Sequence, residues 1–379
     1  DILLNQLTAL KEFSPENKSI ESLMSKSTIL FGLIGLIFEK YNDNSPFIPR
    51  ATISPIEIQN QEWKDIKSSI KNLKEISLEL GEILTPQTHG YLQNWKDSLR
   101  KLEKIFKDTN LETNMIWVEK DYMDNIVIQR APFSLSPHLK EILNKTKNYK
   151  IISENLDLED DASLIKNLND LPPSLPLIKE PSKIENLTIL IPEDIEDHET
   201  RKAILSDSIL PFIKKHKGSL AMIFNSKKQL QYFTLKLAKP LKEAGVTLVS
   251  QLTGNLGKLT EKFLADPENS ILFVTPNLWE NFPFHEKISN LIIHKLPFDP
   301  PSDPYLMTTS TKFKNPFIEL QVPQAAFGLR KSINRLRLSK GEKQVVILDT
   351  RLLTKDYSKP INAILETLGD VQVINTSSL

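Results

Sequence analysis

The sequence predicts an α/β domain in the carboxyl-terminal half, built on a mainly parallel sheet and preceded by a mainly helical region. Three observations carry this. From Leu187 onward, short apolar runs alternate with longer amphipathic stretches, the rhythm of strand–helix units whose helices cover both faces of a sheet. Up to about Asn110, apolar residues recur at helical spacing among Lys, Glu and Ser. Between the two lies a Pro-rich stretch, residues 171–183 (LPPSLPLIKEPSK), with the composition of a connector. A length of 379 residues suits two or three domains.

In chain order, Ile29 to Phe38 is the most apolar run. It is half the length of a spanning helix, which needs about 20 residues, and Lys26 and Glu39 bracket it, so it reads as a buried helix. The chain starts at Asp1 with no signal-peptide pattern and is expected to be a piece of something longer. Ile66, Ile70, Leu73, Ile76, Leu78 and Leu80 mark one amphipathic helix. After a break at Pro86 to Gly90, Leu92, Trp95, Leu99, Leu102, Ile105 and Phe106 mark a second. Trp63 and Trp95 on these helices read as core anchors. Met115–Val118 and Ile126–Ile128 read as a hairpin, Ser136 as the cap of a helix over His138 to Asn144, and Tyr149–Ile152 as another short strand. Seven further strands are expected at Leu187–Ile191, Ser219–Asn225, Val246–Ser250, Ser270–Thr275, Leu291–Leu296, Val345–Asp349 and Val371–Ile374. The expected divisions are 1–113 (helical), 114–183 (strands and connector) and 184–379 (α/β).

Composition excludes several chemistries. Lys+Arg 48 balances Asp+Glu 48, so binding of nucleic acid by bulk charge is excluded while a local basic groove is not. Cys 0 excludes disulfides, thiolate zinc, cysteine-held iron–sulfur clusters and a cysteine nucleophile within this chain. Neither G-x-G-x-x-G nor G-x-x-x-x-G-K-[ST] occurs; Gly254, Gly257 and Lys258 imitate a phosphate cradle with the wrong spacing and read as a loop before a helix. None of the six histidines pairs with another at i, i+4, and His198 stands among acids that suit a helix N-terminus better than a metal; no metal site is expected. No G-x-S-x-G elbow of a serine hydrolase is present. Arg330, Lys331, Arg335, Arg337 and Lys340 read as one basic helix after Pro323, a solvated face by default. Arginine forks also match phosphate oxygens in pairs.

Several motifs then occur in a telling order. They are Gly218–Ser226, Gln251 after the next strand, Ile271–Thr275 followed by Leu278-Trp279-Glu280-Asn281, Leu291 to Pro304 (LIIHKLPFDPPSDP), Pro323 with Ala325 and Ala326, and Val346–Asp349 with Arg351 and Tyr357. Together this order resembles the second motor domain of DinG/XPD-type superfamily 2 DNA helicases. More weakly, Ile151 to Leu156 resembles the end of the first motor domain, and the amino-terminal helices then correspond to the arch insertion.

The resemblance implies a RecA-like parallel-sheet helicase C-terminal domain behind a helical arch-like domain. It implies ATP and Mg2+ held mainly by a first motor domain upstream, single-stranded DNA as substrate, repair or replication proteins as partners, no membrane, and a cytoplasmic location. Arg335 becomes the arginine-finger candidate, with Lys331, Arg337 and Glu280 on the nucleotide side. Ser226, Lys227, Lys228, Gln251 and Trp279 become the nucleic-acid side, although core packing is the stronger expectation for Trp279.

The departures fall on the ATP-coupling residues. Lys331 replaces the glutamine of the finger motif and its glycines are gone, Asn281 and Pro283 replace Gly and Asp after Trp279-Glu280, and only Ser153 and Leu156 remain of the Ser-Ala-Thr segment. A motor fold kept for binding single-stranded DNA or a repair partner is the alternative. An unrelated α/β enzyme for a small phosphorylated ligand is a third reading, which leaves LPFDPPSDP unexplained.

Overall fold

The first helices form where the periodicity places them. α1 (Ile2–Phe13) and α2 (Lys18–Tyr41) meet at Asn17, whose side-chain oxygen accepts from the amides of Ser19 and Ile20 and so satisfies two otherwise orphaned donors. After β1 (Arg50–Thr52) come α3 (Gln61–Gly81) and α4 (Pro86–Lys107). Their apolar faces bury Leu7, Leu23, Ile34, Ile66, Trp95 and Leu99 in one core, where the Trp63 ring packs on Phe106 at 4.5 Å. Both tryptophans are therefore core anchors. Among the described residues, α2 alone is long and apolar enough to cross a membrane. Its Leu30, Ile34, Ile37 and Phe38 are buried while Ile29 and Leu36 are exposed.

The computed structural model describes residues 2–42, 50–54, 56–81, 86–107, 111, 113–120, 125–134, 136–146, 148–152, 166, 171, 176, 183–193, 209–301 and 303–378. The His198 stretch, Ser153 to Leu156, Ser302 and most of the Pro-rich connector lie outside them. The chain divides into two compact units, residues 1–139 with 300–312 and residues 140–299 with 313–379.

The expected hairpin is longer than its apolar residues suggested. β2 (Asn114–Lys120) and β3 (Ile126–Pro132) pair antiparallel along their whole length, and β1 adds to the far edge of β2. Arg50 Nε donates to Glu119 Oε2 at 2.6 Å, a pair that ties β1 to β2. Two local expectations fail. α5 spans Ser136–Asn144, so it starts at Ser136, and the hydroxyl that accepts from the Ser136 amide is that of Ser134. Tyr149–Ile152 forms no strand: Ile152 is 81% exposed, and no ladder neighbour satisfies its backbone.

The second unit carries all seven expected strands, β4 (Leu187–Pro192), β5 (Leu220–Ile223), β6 (Thr247–Ser250), β7 (Ser270–Val274), β8 (Asn290–Ile293), β9 (Lys343–Ile347) and β10 (Asp370–Ile374). They form one parallel sheet in the order β10-β4-β9-β8-β5-β7-β6. Alternate residues face opposite sides, as the strand period requires. Ala221, Ile223, Leu272, Val274, Leu291 and Ile293 enter one core; Met222, Phe224, Ile271, Phe273 and Ile292 enter the other. The helices of this unit are α6 (Ile209–Lys215), α7 (Lys227–Glu243), α8 (Leu256–Ala265), α9 (Pro276–Glu280), α11 (Val322–Asn334), α12 (Arg351–Thr354) and α13 (Lys359–Leu368). α6 and α7 cover the second face; α8, α9, α11 and α13 cover the first. The short helix α10 (Pro304–Ser310) belongs to the first unit.

Candidate functional site

In a parallel sheet the strand carboxyl ends share one edge, and the loops leaving them gather polar side chains there. β5 leads into Asn225, whose Nδ2 donates to the carbonyls of Lys295 (3.0 Å) and Leu296 (2.7 Å), tying the loop after β5 to the loop after β8. Ser226 then occupies the N-cap of α7, and its side chain makes no capping hydrogen bond. Lys227 and Lys228 open the helix, exposed. Gln251 follows β6, and its Oε1 accepts from both the amide (2.8 Å) and the hydroxyl (2.9 Å) of Thr275 at the end of β7. Since β5, β7 and β6 are consecutive in the sheet, Ser226, Thr275 and Gln251 stand in one row. Sequence reasoning found the outer two and missed Thr275; its signal was a hydroxyl residue directly after an apolar run and before Pro276. The Gly254–Lys258 stretch is a turn into α8, with Asn255 Oδ1 accepting from the Lys258 amide, so it cradles no phosphate.

Trp279 leaves the nucleic-acid set. It is fully buried, its Nε1 donates to the Ser332 carbonyl at 2.9 Å, and its ring meets His285 edge-on at 4.5 Å. No ring face is left for a base.

The basic cluster does not form one helix. Arg330 and Lys331 lie on α11, whereas Arg335 and Arg337 lie on the 3-10 turn Arg335–Leu338, and Lys340 follows it. Arg330 is buried, so the cluster is no uniform solvated face. Lys331 Nζ and Glu280 Oε2 pair at 2.5 Å: two nucleotide-side candidates neutralise each other. Arg337 Nη1 donates to the Lys183 carbonyl at 3.0 Å and its Nε to Asn334 Oδ1. Arg335 heads the turn, half-buried, where the turn packs on residues 285–287. Its charge, after the larger effect of burial, helps hold His285 below the usual histidine range. His285 Nε2 lies 2.7 Å from the Trp279 carbonyl; a carbonyl only accepts, so Nε2 carries the proton.

The LPFDPPSDP segment has a structural explanation at Leu296, Pro297, Phe298, Asp303 and Pro304. Asp349, fully buried, accepts from the Leu296 amide at 2.9 Å and holds Arg351 through Nε (2.9 Å) and Nη2 (2.6 Å). The Arg351 guanidinium sits 5.3 Å from the centre of the Phe298 ring, a cation–π contact, and Phe298 packs with Phe317 and Tyr357. Pro297 lies against Gly328, where an added Cβ would come within 3.0 Å of the proline ring. Asp303 caps α10 by accepting from the Leu306 amide, and Pro304 takes the first helical position. Asp303 also pairs with Arg50 at 3.6 Å. Among the described residues no group of three or more His, Cys, Asp or Glu could hold a metal.

Residues 209–367 match the family described as the helicase C-terminal domain. The carboxyl-terminal part of this chain thus resembles the C-terminal domain of DinG-type helicases. The 3'-5' exonuclease DinG of Bacillus subtilis is 25% identical to this chain over 315 residues, 78% of the chain and 33% of that protein. The ATP-dependent DNA helicase YoaA of Escherichia coli K12 is 26% identical over 269 residues, 67% of the chain and 41% of that protein. The ATP-dependent DNA helicase DinG of the same strain is 33% identical over 152 residues, 38% of the chain and 21% of that protein. The chain thus spans well under half the length of these relatives. A solved XPD helicase superposes with a TM-score of 0.60 at 14% identity, over 98% of this chain and 64% of that one; this likeness concerns the fold. The matched residues 209–367 span the strand-end row, the Arg335 turn and the Asp349–Arg351 pair alike.

Proposed function

We propose that this chain supplies the arch-like region and the second motor domain of a DinG-type helicase that couples ATP hydrolysis to movement along single-stranded DNA. The observation that carries the reading is the row Ser226–Thr275–Gln251 on adjacent strand ends, with Lys227 and Lys228 beside it. Hydroxyl, amide and ammonium groups set along one edge suit the phosphates of a single strand. Repair or replication proteins would be its partners in the cytoplasm.

Four residues were candidates for the nucleotide. Glu280 and Lys331 pair with each other, and Arg335 is taken as the finger because it stands in register with the first arginine of the family's motif, its fork being suited to a phosphate. The first motor domain would hold ATP and Mg2+, and the bound nucleotide supplies the phosphoryl group that is cleaved. Arg335 would then offset charge developing on that group.

The same Lys331–Glu280 pair favours a second reading, a motor fold kept for binding after its ATP coupling decayed. ATP hydrolysis by the chain with its natural upstream sequence, with and without single-stranded DNA, separates the two. Turnover stimulated by DNA and reduced about 10³-fold or more in Arg335→Ala is the expected result. A folded protein that binds DNA and never hydrolyses ATP sinks the motor reading.

A further inference from the structure

Between Ile209 and Glu243 the chain carries eight lysines and one acid, Glu243, although the whole chain is neutral. The fold gathers this charge on one layer. α6 and α7 bury Phe212, Ile213, Leu230, Phe233, Leu237 and Leu241 against the same face of the sheet, so their opposite sides point to solvent. Lys214, Lys215, Lys228, Lys239 and Lys242 are exposed there. From Lys228 to Lys242, α7 advances about 21 Å at 1.5 Å per residue. Leu235 stands 71% exposed among these lysines. The face begins at the N-terminus of α7, next to Ser226 at the N-cap position.

We propose that the outer face of α6 and α7 is a docking surface for double-stranded DNA, distinct from the strand-end row that would hold a single strand. This rests on the DNA-motor reading above. Ammonium groups spread over some 20 Å on two rigid helices match a duplex, which presents one negative charge per about 1.7 Å of its axis. Lysines bind such a lattice as point charges, so the surface would grip any sequence. The duplex next to a single-stranded stretch would lie along α7 while the single strand leaves past Ser226.

The test measures binding of the full chain to a blunt 20-base-pair duplex and to a 20-nucleotide oligothymidylate across a salt series. Lys215→Ala/Lys239→Ala/Lys242→Ala, which spares Lys228 beside the strand-end row, is compared with Ser226→Ala/Gln251→Ala. These lysines are exposed, so the fold should survive, which circular dichroism checks. The triple variant is expected to lose about tenfold or more in duplex affinity, and the slope of log affinity against log salt should fall by two to three units. Its oligothymidylate affinity should stay within about twofold, while the Ser226/Gln251 variant should show the reverse pattern. Unchanged duplex binding in the triple variant overturns the proposal, as does an equal loss for both DNAs. A wild-type chain that binds oligothymidylate but no duplex overturns it and leaves the single-strand reading standing; binding to neither overturns both.

Discussion

Asp349 shows how one residue can explain a motif. Its carboxylate, fully buried, is held by the Leu296 amide and the Arg351 fork. Removing one partner of such a pair costs about 3–5 kcal/mol when both are buried, and the Arg351 side chain is 38% exposed, which lowers the figure. Arg351→Ala is expected to destabilise the second unit by about 2–3 kcal/mol in urea unfolding, with Arg351→Lys recovering only part because a point charge cannot replace the fork. His285 gives a pH test. Burial is the main cause of its lowered pKa, and burial likewise depresses His216. Both therefore bind a proton less readily in the fold than in the unfolded chain, which takes up protons first as pH falls below about 6.5. Stability should be full above that pH and decline below it, by at most about 1.4 kcal/mol per pH unit for each histidine. Between pH 7.5 and 5.5 the decline should be shallower in His285→Phe; an identical slope would remove His285 from the account. At this scale the sequence revealed residue types better than partners. Lys331 and Glu280 are 51 positions apart, and nothing in either segment announces that they neutralise each other. For Trp279 core packing was the stronger expectation, and its burial with the N–H on the Ser332 carbonyl agrees with it.

At the scale of elements, the strands were legible because fully buried parallel strands are written as unbroken apolar runs. β5 is one such run, and β7 and β8 are one after a polar first residue, Ser270 and Asn290. Elements whose existence depends on a neighbour were not legible: Tyr149–Ile152 has strand composition and no ladder, and the basic helix changes pitch at Arg335, beyond what periodicity resolves. Turn glycines are a further case. Gly218, before β5, has φ +82°, and a Cβ there would fall 2.5 Å from the Glu268 carbonyl oxygen; Gly341, before β9, has φ +77° with nothing within 4 Å. Gly341→Ala should therefore cost only the left-handed backbone penalty, about 1–2 kcal/mol. Gly218→Ala adds a collision with rigid backbone and should cost about 2–4 kcal/mol. The difference between the two unfolding free energies isolates the collision, and equal costs would show that the loop at Glu268 yields freely.

At the scale of the whole molecule, two cores and an uneven set of tryptophans make the units separately observable. Trp63, Trp95 and Trp117 lie in residues 1–139, and Trp279 alone lies in the second unit. Each unit buries its own apolar cluster, the condition under which parts of a chain unfold as separate cooperative steps. The chain also leaves the second unit at residue 300 and returns at 313, and it is anchored on both sides of that crossing. Asp349 holds the Leu296 amide before it, and Asp303 caps α10 and pairs with Arg50 within it. These contacts give the motif a structural part: Leu296 is held within the second unit before residue 300, and Asp303 within the first unit after it. Tryptophan fluorescence of the wild type in urea is expected to show two transitions, and in Trp279→Phe one of them should lose its fluorescence signal while remaining visible by circular dichroism. Ile293→Ala, in the second core, should lower the midpoint of that transition by removing about 2–5 kcal/mol and leave the other within error. A single transition that shifts as a whole would instead mean that the crossing couples the two cores into one cooperative unit.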